Sequence, residues 1–170
     1  MKLGFIGTGN ISSDVVTGIC NSKISFNKIT LSPRNKKKSN NLKRKFKKIY
    51  IAKTNQEVID KSDWVFIGVL PEVGEKIIPQ LKFKPNQTVV SFISTINYSK
   101  LKRILKKKTN VVKAIPMPPI ALGKGPVAIF PPHRKVKLFF DKIGDSIEIK
   151  NENLSHNFWA ASGTMTSFYE

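Results

Sequence analysis

Acidic side chains, cysteines and long apolar runs are all scarce in this sequence. Its 170 residues hold 11 Asp or Glu against 30 Lys or Arg, which gives a formal net charge of +19. The single cysteine, Cys20, excludes an internal disulfide, and its neighbours Val16 and Ile19 favour a buried structural thiol over a catalytic one. No apolar run approaches the ~20 residues of a membrane-spanning helix, and no secretory leader is recognisable. We therefore expect a cytoplasmic chain with no membrane partner.

Histidine is scarce as well. The two histidines, His133 and His156, do not have the spacing of metal ligands, so the sequence predicts no metal site. Apolar residues make up 40% of the chain, which is enough for a buried core and argues against disorder.

The basic residues are unevenly distributed. Residues 15–56 contain twelve Lys or Arg and no carboxylate, and residues 76–140 also lack a carboxylate. Such an excess favours an anionic partner, either a small molecule or a nucleic acid. The basic runs at Lys36–Lys48 and Lys102–Lys108 lack the aromatic interleaving that stacks on bases, and charge alone attracts nucleic acid without sequence preference. Nucleic-acid binding is kept as an alternative, but we expect no specific nucleic-acid partner.

A glycine turn near the N-terminus is the most informative local feature. The apolar run Leu3–Ile6 predicts a buried strand, after which Gly7 and Gly9 fill the first two positions of a Gly-x-Gly-x-x-Gly turn leading into a helix. The third position holds Ser12, which is small enough for the helix to pack closely on the strand. Such a turn binds a dinucleotide pyrophosphate with its backbone and the helix N-terminus. An ordinary strand-to-helix turn is the alternative interpretation.

Strand and helix patterns alternate along most of the chain after this turn. Strands joined by helical crossovers form parallel sheets, so the predicted fold class is α/β, a Rossmann-like doubly wound, mainly parallel sheet with helices on both faces. The loops after the strands then share one edge, where ligands bind. The proline-rich segment Pro116–Pro132 interrupts the pattern, although Val127–Phe130 can form one more strand. A helix is predicted to start within Glu152–Ala161.

The end of the second predicted strand indicates the cofactor. In dinucleotide-binding folds an acidic residue there bonds the ribose of NAD, whereas an Arg accommodates the 2′-phosphate of NADP. The sequence has no acidic residue at this place; Ser32, Arg34 and Asn35 are followed by three lysines. A guanidinium suits a phosphate because it can donate two parallel hydrogen bonds. We therefore predict NADP (NADPH), with NAD less favoured. A solvated basic helix start is the alternative.

Six segments, taken in order, resemble the pyrroline-5-carboxylate reductase family. They are GFIGTGNIS at Gly4–Ser12, SPRN at Ser32–Asn35, TNQEVIDKSDWVFIGVLP at Thr54–Pro71, VVSFIST at Val89–Thr95, VVKAIPMPP at Val111–Pro119 and ASGT at Ala161–Thr164. None of them is specific alone. The resemblance implies an NADP-dependent oxidoreductase of amino-acid biosynthesis that transfers a hydride from NADPH to a cyclic imine, converting 1-pyrroline-5-carboxylate to proline or acting on a related substrate.

The resemblance also implies which residues contact the cofactor. The glycine turn would hold the pyrophosphate, the end of the second strand with Asn55 would hold the adenosine ribose and its phosphate, and the loops after the fourth and fifth strands would flank the nicotinamide half. The predicted cofactor-binding residues are Gly7, Thr8, Gly9, Asn10, Ile11, Ser32, Arg34, Asn35, Asn55, Gly68, Val69, Leu70, Pro71, Phe92, Ile93 and Ser94. Because the cofactor supplies the hydride, no catalytic side chain is expected.

The domain organisation and the partners follow from the same resemblance. Residues 1–150 are predicted to form the NADP-binding domain, and residues 151–170 to begin a helical dimerisation domain that is otherwise absent from the sequence. A homodimer or higher homo-oligomer through this C-terminal region is therefore expected. The substrate would be a small anionic molecule.

Four places depart from the family pattern, and they cluster at the nicotinamide end. Leu70 stands where the family has lysine, Met117-Pro118 replaces Asn-Thr, and Ile93 begins a run of otherwise small residues. Residues 162–166 replace a Ser-Gly-Ser-Gly-Pro turn. These departures support a second hypothesis, a non-catalytic NADP-binding module that has lost reductase activity.

Overall fold

The computed structural model describes residues 1–105 and 109–154, and the strands among them form one sheet. These strands are β1 (Lys2–Ile6), β2 (Lys28–Leu31), β3 (Ile49–Ile51), β4 (Trp64–Ile67), β5 (Thr88–Ser91), β6 (Asn110–Pro116), β7 (Pro126–Phe130) and β8 (Asp145–Glu148). Their order across the sheet is β3-β2-β1-β4-β5-β6-β7-β8. The first six run parallel, β7 is antiparallel to β6, and β8 is parallel to β7.

Helices cover both faces of this sheet. The α-helices of the described residues are α1 (Asn10–Asn21), α2 (Lys36–Lys45), α3 (Asn55–Asp60), α4 (Pro71–Ile77), α5 (Tyr98–Leu105) and α6 (Arg134–Phe140). Apolar side chains of α1, α2 and α6 pack together in one core cluster, and those of α3 and α5 pack in a second cluster. The predicted Rossmann-like, doubly wound fold is therefore confirmed.

Neighbouring strand residues alternate between the two clusters because successive side chains of a strand point to opposite faces. In β4, Phe66 belongs to the first cluster, whereas Val65 and Ile67 belong to the second. Phe66 stacks on Phe5 of β1, with ring centroids 4.6 Å apart and planes 11° apart. Apart from their first residues, Lys2 and Trp64, these two central strands are buried, as expected for parallel strands with helices on both sides.

Capping side chains stand at the N-termini of α2 and α3. Asn35 Oδ1 accepts the N–H of Lys38 at the start of α2, over 3.2 Å. Thr54 Oγ1 accepts the N–H of Glu57 at the start of α3, over 3.1 Å, and the Glu57 carboxylate accepts the N–H of Lys53 over 2.6 Å. The hydrogen bond from Lys53 is the main reason why the pKa of Glu57 is lowered. Both helices therefore begin where side chains replace missing backbone partners.

The proline-rich segment folds differently from the other crossovers. Pro116 ends β6 and Pro126 begins β7, so both prolines stand at strand ends, where a missing N–H is tolerated. Between them, Pro118–Leu122 form a short 3₁₀ helix that packs against α1. The chain turns back here without a helical crossover that spans the sheet, and β7 therefore runs antiparallel to β6.

The prediction of a helix within Glu152–Ala161 is only partly open to comparison. Helical backbone begins at Glu152, but residues 155–161 lie outside the described residues. The family-like segment at 161–164 and the predicted start of a dimerisation domain lie there too, so the division at residue 150 stays a prediction. In the described ranges, 1–105 and 109–154, no helix is both long enough and apolar enough to cross a membrane.

Candidate functional site

A cavity of about 670 Å³ opens at the carboxyl ends of the central parallel strands. It brings together eleven of the predicted residues: Gly7, Thr8, Gly9, Asn10, Ile11, Arg34, Asn35, Gly68, Val69, Leu70 and Phe92. Three further lining residues were not among the predicted contacts: Ser12, Lys36 and Val73. We call this space the turn cavity. Its position, where the strand order reverses between β1 and β4, is where doubly wound sheets bind ligands.

Gly7 makes the tight bend after β1. Its φ is +91°, and a Cβ there would stand 2.2 Å from the carbonyl oxygen of Gly68. The close approach brings the ends of β1 and β4 together, with the N–H of Gly68 bonded to the carbonyl of Ile6 over 2.8 Å. Both the backbone conformation and the lack of space therefore require glycine at this position.

Gly9 is different, because the protein itself does not require a glycine there. Its φ of −79° is open to any residue, and a Cβ would meet nothing closer than the Gly68 carbonyl oxygen at 4.0 Å. Gly9 lines the turn cavity. The carbonyl of Gly9 begins α1 by accepting the N–H of Ser13 over 3.0 Å. A glycine here keeps the backbone of the helix start open to a ligand, which fits a pyrophosphate.

Ser32 and Thr8 both support the turn, but of the two only Thr8 lines the cavity. Ser32 is buried, and its Oγ accepts the N–H of Gly7 over 2.9 Å. Thr8 is also buried, and its Oγ1 lies 3.5 Å from the Ser32 Oγ. Ser32 was predicted to contact the adenosine ribose, but it does not line the turn cavity. Its hydroxyl holds the first glycine of the turn, and its predicted contact with the ribose stays a prediction.

Cationic side chains border the turn cavity on the α2 side. Arg34 and Lys36 are exposed, and Asn35 between them is held by its bond to the start of α2. Lys38 also reaches across and donates to Asn10 Oδ1 at the start of α1. Burial raises the pKa of Asp14 in α1, and the positive charge of Lys38 opposes that rise. This side can therefore contact an anion with Arg34 and Lys36 while Lys38 joins the two helices.

The opposite side of the turn cavity is apolar. Val69, Leu70, Val73 and Phe92 line it, and the side chain of Leu70 is 70% exposed at the start of α4. No acidic side chain stands among the lining residues that the structure describes. A flat, uncharged group fits this side better than an anion does.

Besides Ser32, four predicted residues lie outside the lining. Asn55 is the first residue of α3, and Pro71 is the first residue of α4. Ile93 is buried in the second core cluster, and its N–H bonds to the Ser91 hydroxyl over 3.2 Å. The carbonyl of Ser94 accepts a hydrogen bond from the Lys113 ammonium over 3.2 Å. Their predicted contacts with a cofactor stay predictions.

The departure at Met117-Pro118 also lies away from the lining. Met117 is buried, and its carbonyl accepts the N–H of Ile120 over 3.0 Å at the start of the 3₁₀ helix. Pro118 is exposed. These two residues serve the turn toward β7, and neither lines the turn cavity.

Some of the missed residues carried a signal in the sequence. Ser12 occupies the third position of the glycine motif, where its small size lets α1 pack near Gly68. Lys36 follows directly after the predicted Arg34 and Asn35. Val73 had no signal of its own, because the sequence predicts a helix that opens at Pro71 but not which of its residues face the cavity. Which residues of a crossover helix line a site is known only once the orientation of that helix is known.

The sequence matches a known protein family over residues 2–98. The description of this family is NADP oxidoreductase, coenzyme F420-dependent. The chain belongs to this family. The matched residues contain the glycine turn, the basic start of α2 and the loops after β4 and β5. The match therefore covers every element that lines the turn cavity.

Within this family setting, the curated relatives are pyrroline-5-carboxylate reductases. The reductase of Vibrio alginolyticus is 25% identical over 99% of the chain, and pyrroline-5-carboxylate reductase 3 of Danio rerio is 30% identical over 74% of it. The chain spans only 65% and 44% of the lengths of these two relatives. The resemblance noted from the sequence is thus confirmed, over a part of each relative's length.

Solved structures show the same fold. The pyrroline carboxylate reductase of Plasmodium falciparum, with NADP bound, superposes with a TM-score of 0.85 at 21% identity, covering 99% of this chain and 64% of that one. At this identity the likeness shows that the family member described here shares the relative's fold.

Proposed function

We propose that this chain binds NADP(H) in the turn cavity and is the cofactor-binding part of an NADPH-dependent imine reductase acting on 1-pyrroline-5-carboxylate or a related anionic cyclic imine. The membership of an NADP oxidoreductase family supports the oxidoreductase assignment. The names of the curated relatives support the substrate class. The NADP bound to the P. falciparum reductase supports the cofactor.

Gly9 is the observation that carries this proposal. Neither its backbone angles nor its neighbours demand a glycine, yet Gly9 lines the turn cavity at the N-cap of α1, and a Cβ there would have its nearest neighbour 4.0 Å away. The first N–H groups of a helix have no intrahelical acceptors, and the helix dipole adds partial positive charge there. A pyrophosphate approaching this backbone is the ligand that such an opening suits best.

The preference for NADP over NAD rests on the α2 side of the turn cavity. Arg34 and Lys36 are both exposed and both line the space. An added 2′-phosphate would gain charge-assisted hydrogen bonds from the guanidinium, whereas the 2′-hydroxyl of NAD would find no carboxylate to accept its proton. We therefore expect discrimination of about tenfold or more, equal to ~1.4 kcal/mol.

The chain's own contribution to the reaction is binding, orientation and exclusion of water. NADPH supplies the hydride when it is bound. Leu70, Val73 and Phe92 offer an apolar wall that suits the uncharged nicotinamide ring and keeps water away from it. No acidic side chain stands on this wall among the described residues, so the wall itself supplies no proton to the imine nitrogen.

A second candidate function is a cofactor-binding module without reductase activity. It is favoured by Leu70, an exposed apolar side chain that borders the turn cavity where the family has lysine. The two candidates share the cofactor site and differ only in turnover.

The cofactor assignment is tested by titrating the protein with NADPH and, separately, with NADH while nicotinamide fluorescence is recorded. We expect NADPH to bind about tenfold tighter or more, and Arg34→Ala to remove most of that difference. Arg44→Ala is the matched control, because Arg44 lies in α2 but does not line the turn cavity. Equal binding of both cofactors by the parent protein, or equal effects of the two variants, would contradict the 2′-phosphate site.

Turnover separates the two candidates. The protein is mixed with NADPH and 1-pyrroline-5-carboxylate, and the loss of NADPH absorbance and the formation of proline are both measured. Stoichiometric proline formation at enzyme-like rates supports the reductase. Tight NADPH binding without proline supports the module. The assembly through the C-terminal region and the cytoplasmic location stay predictions, which cross-linking and cell fractionation can address.

A further inference from the structure

Lys113 carries a charge into the middle of the sheet. It lies in β6, and its side chain is 0% exposed. The Nζ atom donates to the Ser94 carbonyl over 3.2 Å and to Glu152 Oε1 over 3.0 Å. Burial lowers the pKa of Lys113, while the hydrogen bond and the charge of Glu152 oppose that change. A buried ammonium is tolerated only where acceptors replace its water, and these two oxygens do so.

Glu152 uses the same carboxylate oxygen for a second bond. Its Oε1 accepts the N–H of Tyr98, the first residue of α5, over 2.6 Å. A carboxylate at a helix N-terminus is favoured by the exposed N–H groups and by the helix dipole. Glu152 therefore joins three parts of the chain: β6, the start of α5, and the segment that follows β8.

These contacts hold the C-terminal part of the loop between β5 and α5. At the N-terminal end of this loop, Phe92 lines the turn cavity, and its N–H bonds to the Ile67 carbonyl over 2.9 Å. Two residues later, the Ser94 carbonyl rests on Lys113, and four residues after that Tyr98 rests on Glu152. The position of Phe92 against the apolar side of the cavity is thus set between a strand end and a buried ion pair.

We propose that Lys113 and Glu152 are positioning residues that hold the Phe92–Ser94 loop against the nicotinamide half of bound NADP(H), and so couple the chain beyond β8 to the cofactor site. This inference rests on the proposed function. Neither residue touches the cofactor; each acts through the loop. The adenosine half, bordered by Arg34 and Lys36 on the far side of the turn cavity, does not depend on the pair.

Stability alone does not account for a pair of this kind. Replacing a buried ion pair by apolar side chains of similar volume is commonly neutral or stabilising, because the charges lose their hydration when they are buried. What an apolar side chain cannot do is bond a backbone carbonyl and a carboxylate at fixed distances. The charged pair therefore specifies where the loop lies, which is a requirement of the site.

The test compares two ligands that differ only in the nicotinamide group. Dissociation constants for NADPH and for 2′-phospho-ADP-ribose are measured on the full chain, on Lys113→Met and on Glu152→Gln. Lys100→Met is the control, because Lys100 is also in the α5 region but forms an exposed ion pair with Glu75 at 2.6 Å. Circular dichroism melts accompany each variant. Glu152→Gln keeps the shape of the side chain and serves if Lys113→Met does not fold.

We expect Glu152→Gln and Lys113→Met to weaken NADPH binding about tenfold, the effect of one charged hydrogen bond, while 2′-phospho-ADP-ribose binding stays within about twofold. Lys100→Met should change neither constant. Equal weakening of both ligands, or no weakening of either, overturns the positioning role. If the parent protein binds neither ligand, the proposed function has failed and this inference falls with it. If the parent binds both and the variants match it, only the inference has failed.

Discussion

The hydroxyl of Ser32, just after β2, accepts a hydrogen bond from the N–H of Gly7, just after β1, over 2.9 Å. The bond ties the end of the second strand to the turn that follows the first. Gly7 follows Ile6, the last residue of β1, so its N–H lies beyond the strand and takes this side-chain acceptor. The residue that marks the cofactor-ribose position in the sequence therefore also supports the proposed pyrophosphate turn.

Ser32→Ala tests this link. The substitution leaves the Gly7 N–H without its acceptor, so we expect the free energy of unfolding to fall by about 1–3 kcal/mol and NADPH binding to weaken. Urea unfolding and a NADPH titration measure the two effects. Ser99→Ala is a suitable control, because Ser99 is exposed and its hydroxyl bonds to Asn97 nearby. Parent-like stability in Ser32→Ala would show that the bond contributes little.

Alanine at Gly7 should mainly lower stability, whereas alanine at Gly9 should mainly weaken NADPH binding. Gly7→Ala places a Cβ 2.2 Å from a carbonyl oxygen at a positive φ, so a loss of about 1–3 kcal/mol in stability is expected. Gly9→Ala meets no atom within 4.0 Å, so its stability should stay within about 1 kcal/mol of the parent while NADPH binding is lost. Thermal melts and cofactor titrations distinguish them. A Gly9→Ala protein that binds NADPH normally would remove the pyrophosphate from this place.

The alternation of strands and helices made most of this fold predictable. The apolar strands, the glycine turn and the basic end of β2 are all visible locally, since each depends on neighbours in the sequence. The reversal at β7 was not visible, because it depends on how Pro118–Leu122 pack against α1. Gly18 permits that packing: a Cβ there would stand 2.3 Å from the Ile120 carbonyl oxygen. Only the folded chain reveals such a contact.

The site residues divide in the same way, into those that the sequence reveals and those that depend on the fold. Residues within the turn, such as Gly9 and Asn10, were predictable because the motif is contiguous. The family resemblance implied Asn55, which is the first residue of α3 and lies outside the lining. Lys113 gave a signal that went unused: a lysine inside the apolar run VVKAIP is unexpected in a buried strand.

Ser12 provides a prediction about stability. Among the residues that the structure describes, its Oγ is the one buried side-chain polar atom with no hydrogen-bond partner. Removing the hydroxyl by Ser12→Ala should therefore leave the free energy of unfolding unchanged or raise it by up to about 1 kcal/mol. Ser12→Thr should lower it, because a Cβ at nearby Gly68 would already stand 2.1 Å from Ser12 Oγ, which indicates how little room there is. Denaturant titrations of both variants check the order. A large loss in Ser12→Ala would reveal a partner for the hydroxyl.

The thiol of Cys20 should be alkylated slowly in the folded protein. Burial raises the pKa of its thiol from 9.0 to about 11, although the charge of Lys48 opposes the rise. At pH 8 the folded protein should react with iodoacetamide about one to two orders of magnitude more slowly than the unfolded protein, since only the thiolate reacts. The folded state keeps a proton that the unfolded state releases, so the free energy of unfolding should also fall as pH rises from about 9 to 11.

The rate is read by mass spectrometry, with protein in guanidinium chloride as the reference. The chain has one cysteine, so the mass shift reports this site alone. Equal rates in the folded and unfolded protein would contradict a structural thiol.

The site itself is tested most directly by a titration of ¹⁵N-labelled protein with NADPH, followed through the amide resonances in a two-dimensional NMR spectrum. The account predicts that the largest shifts occur at Gly9, Asn10 and Ile11, with further shifts at Arg34 and Lys36, and that they saturate at one ligand per chain at moderate salt. Shifts confined to the outer lysines of α2 that vanish as salt is added would contradict it, because they would reflect charge attraction alone.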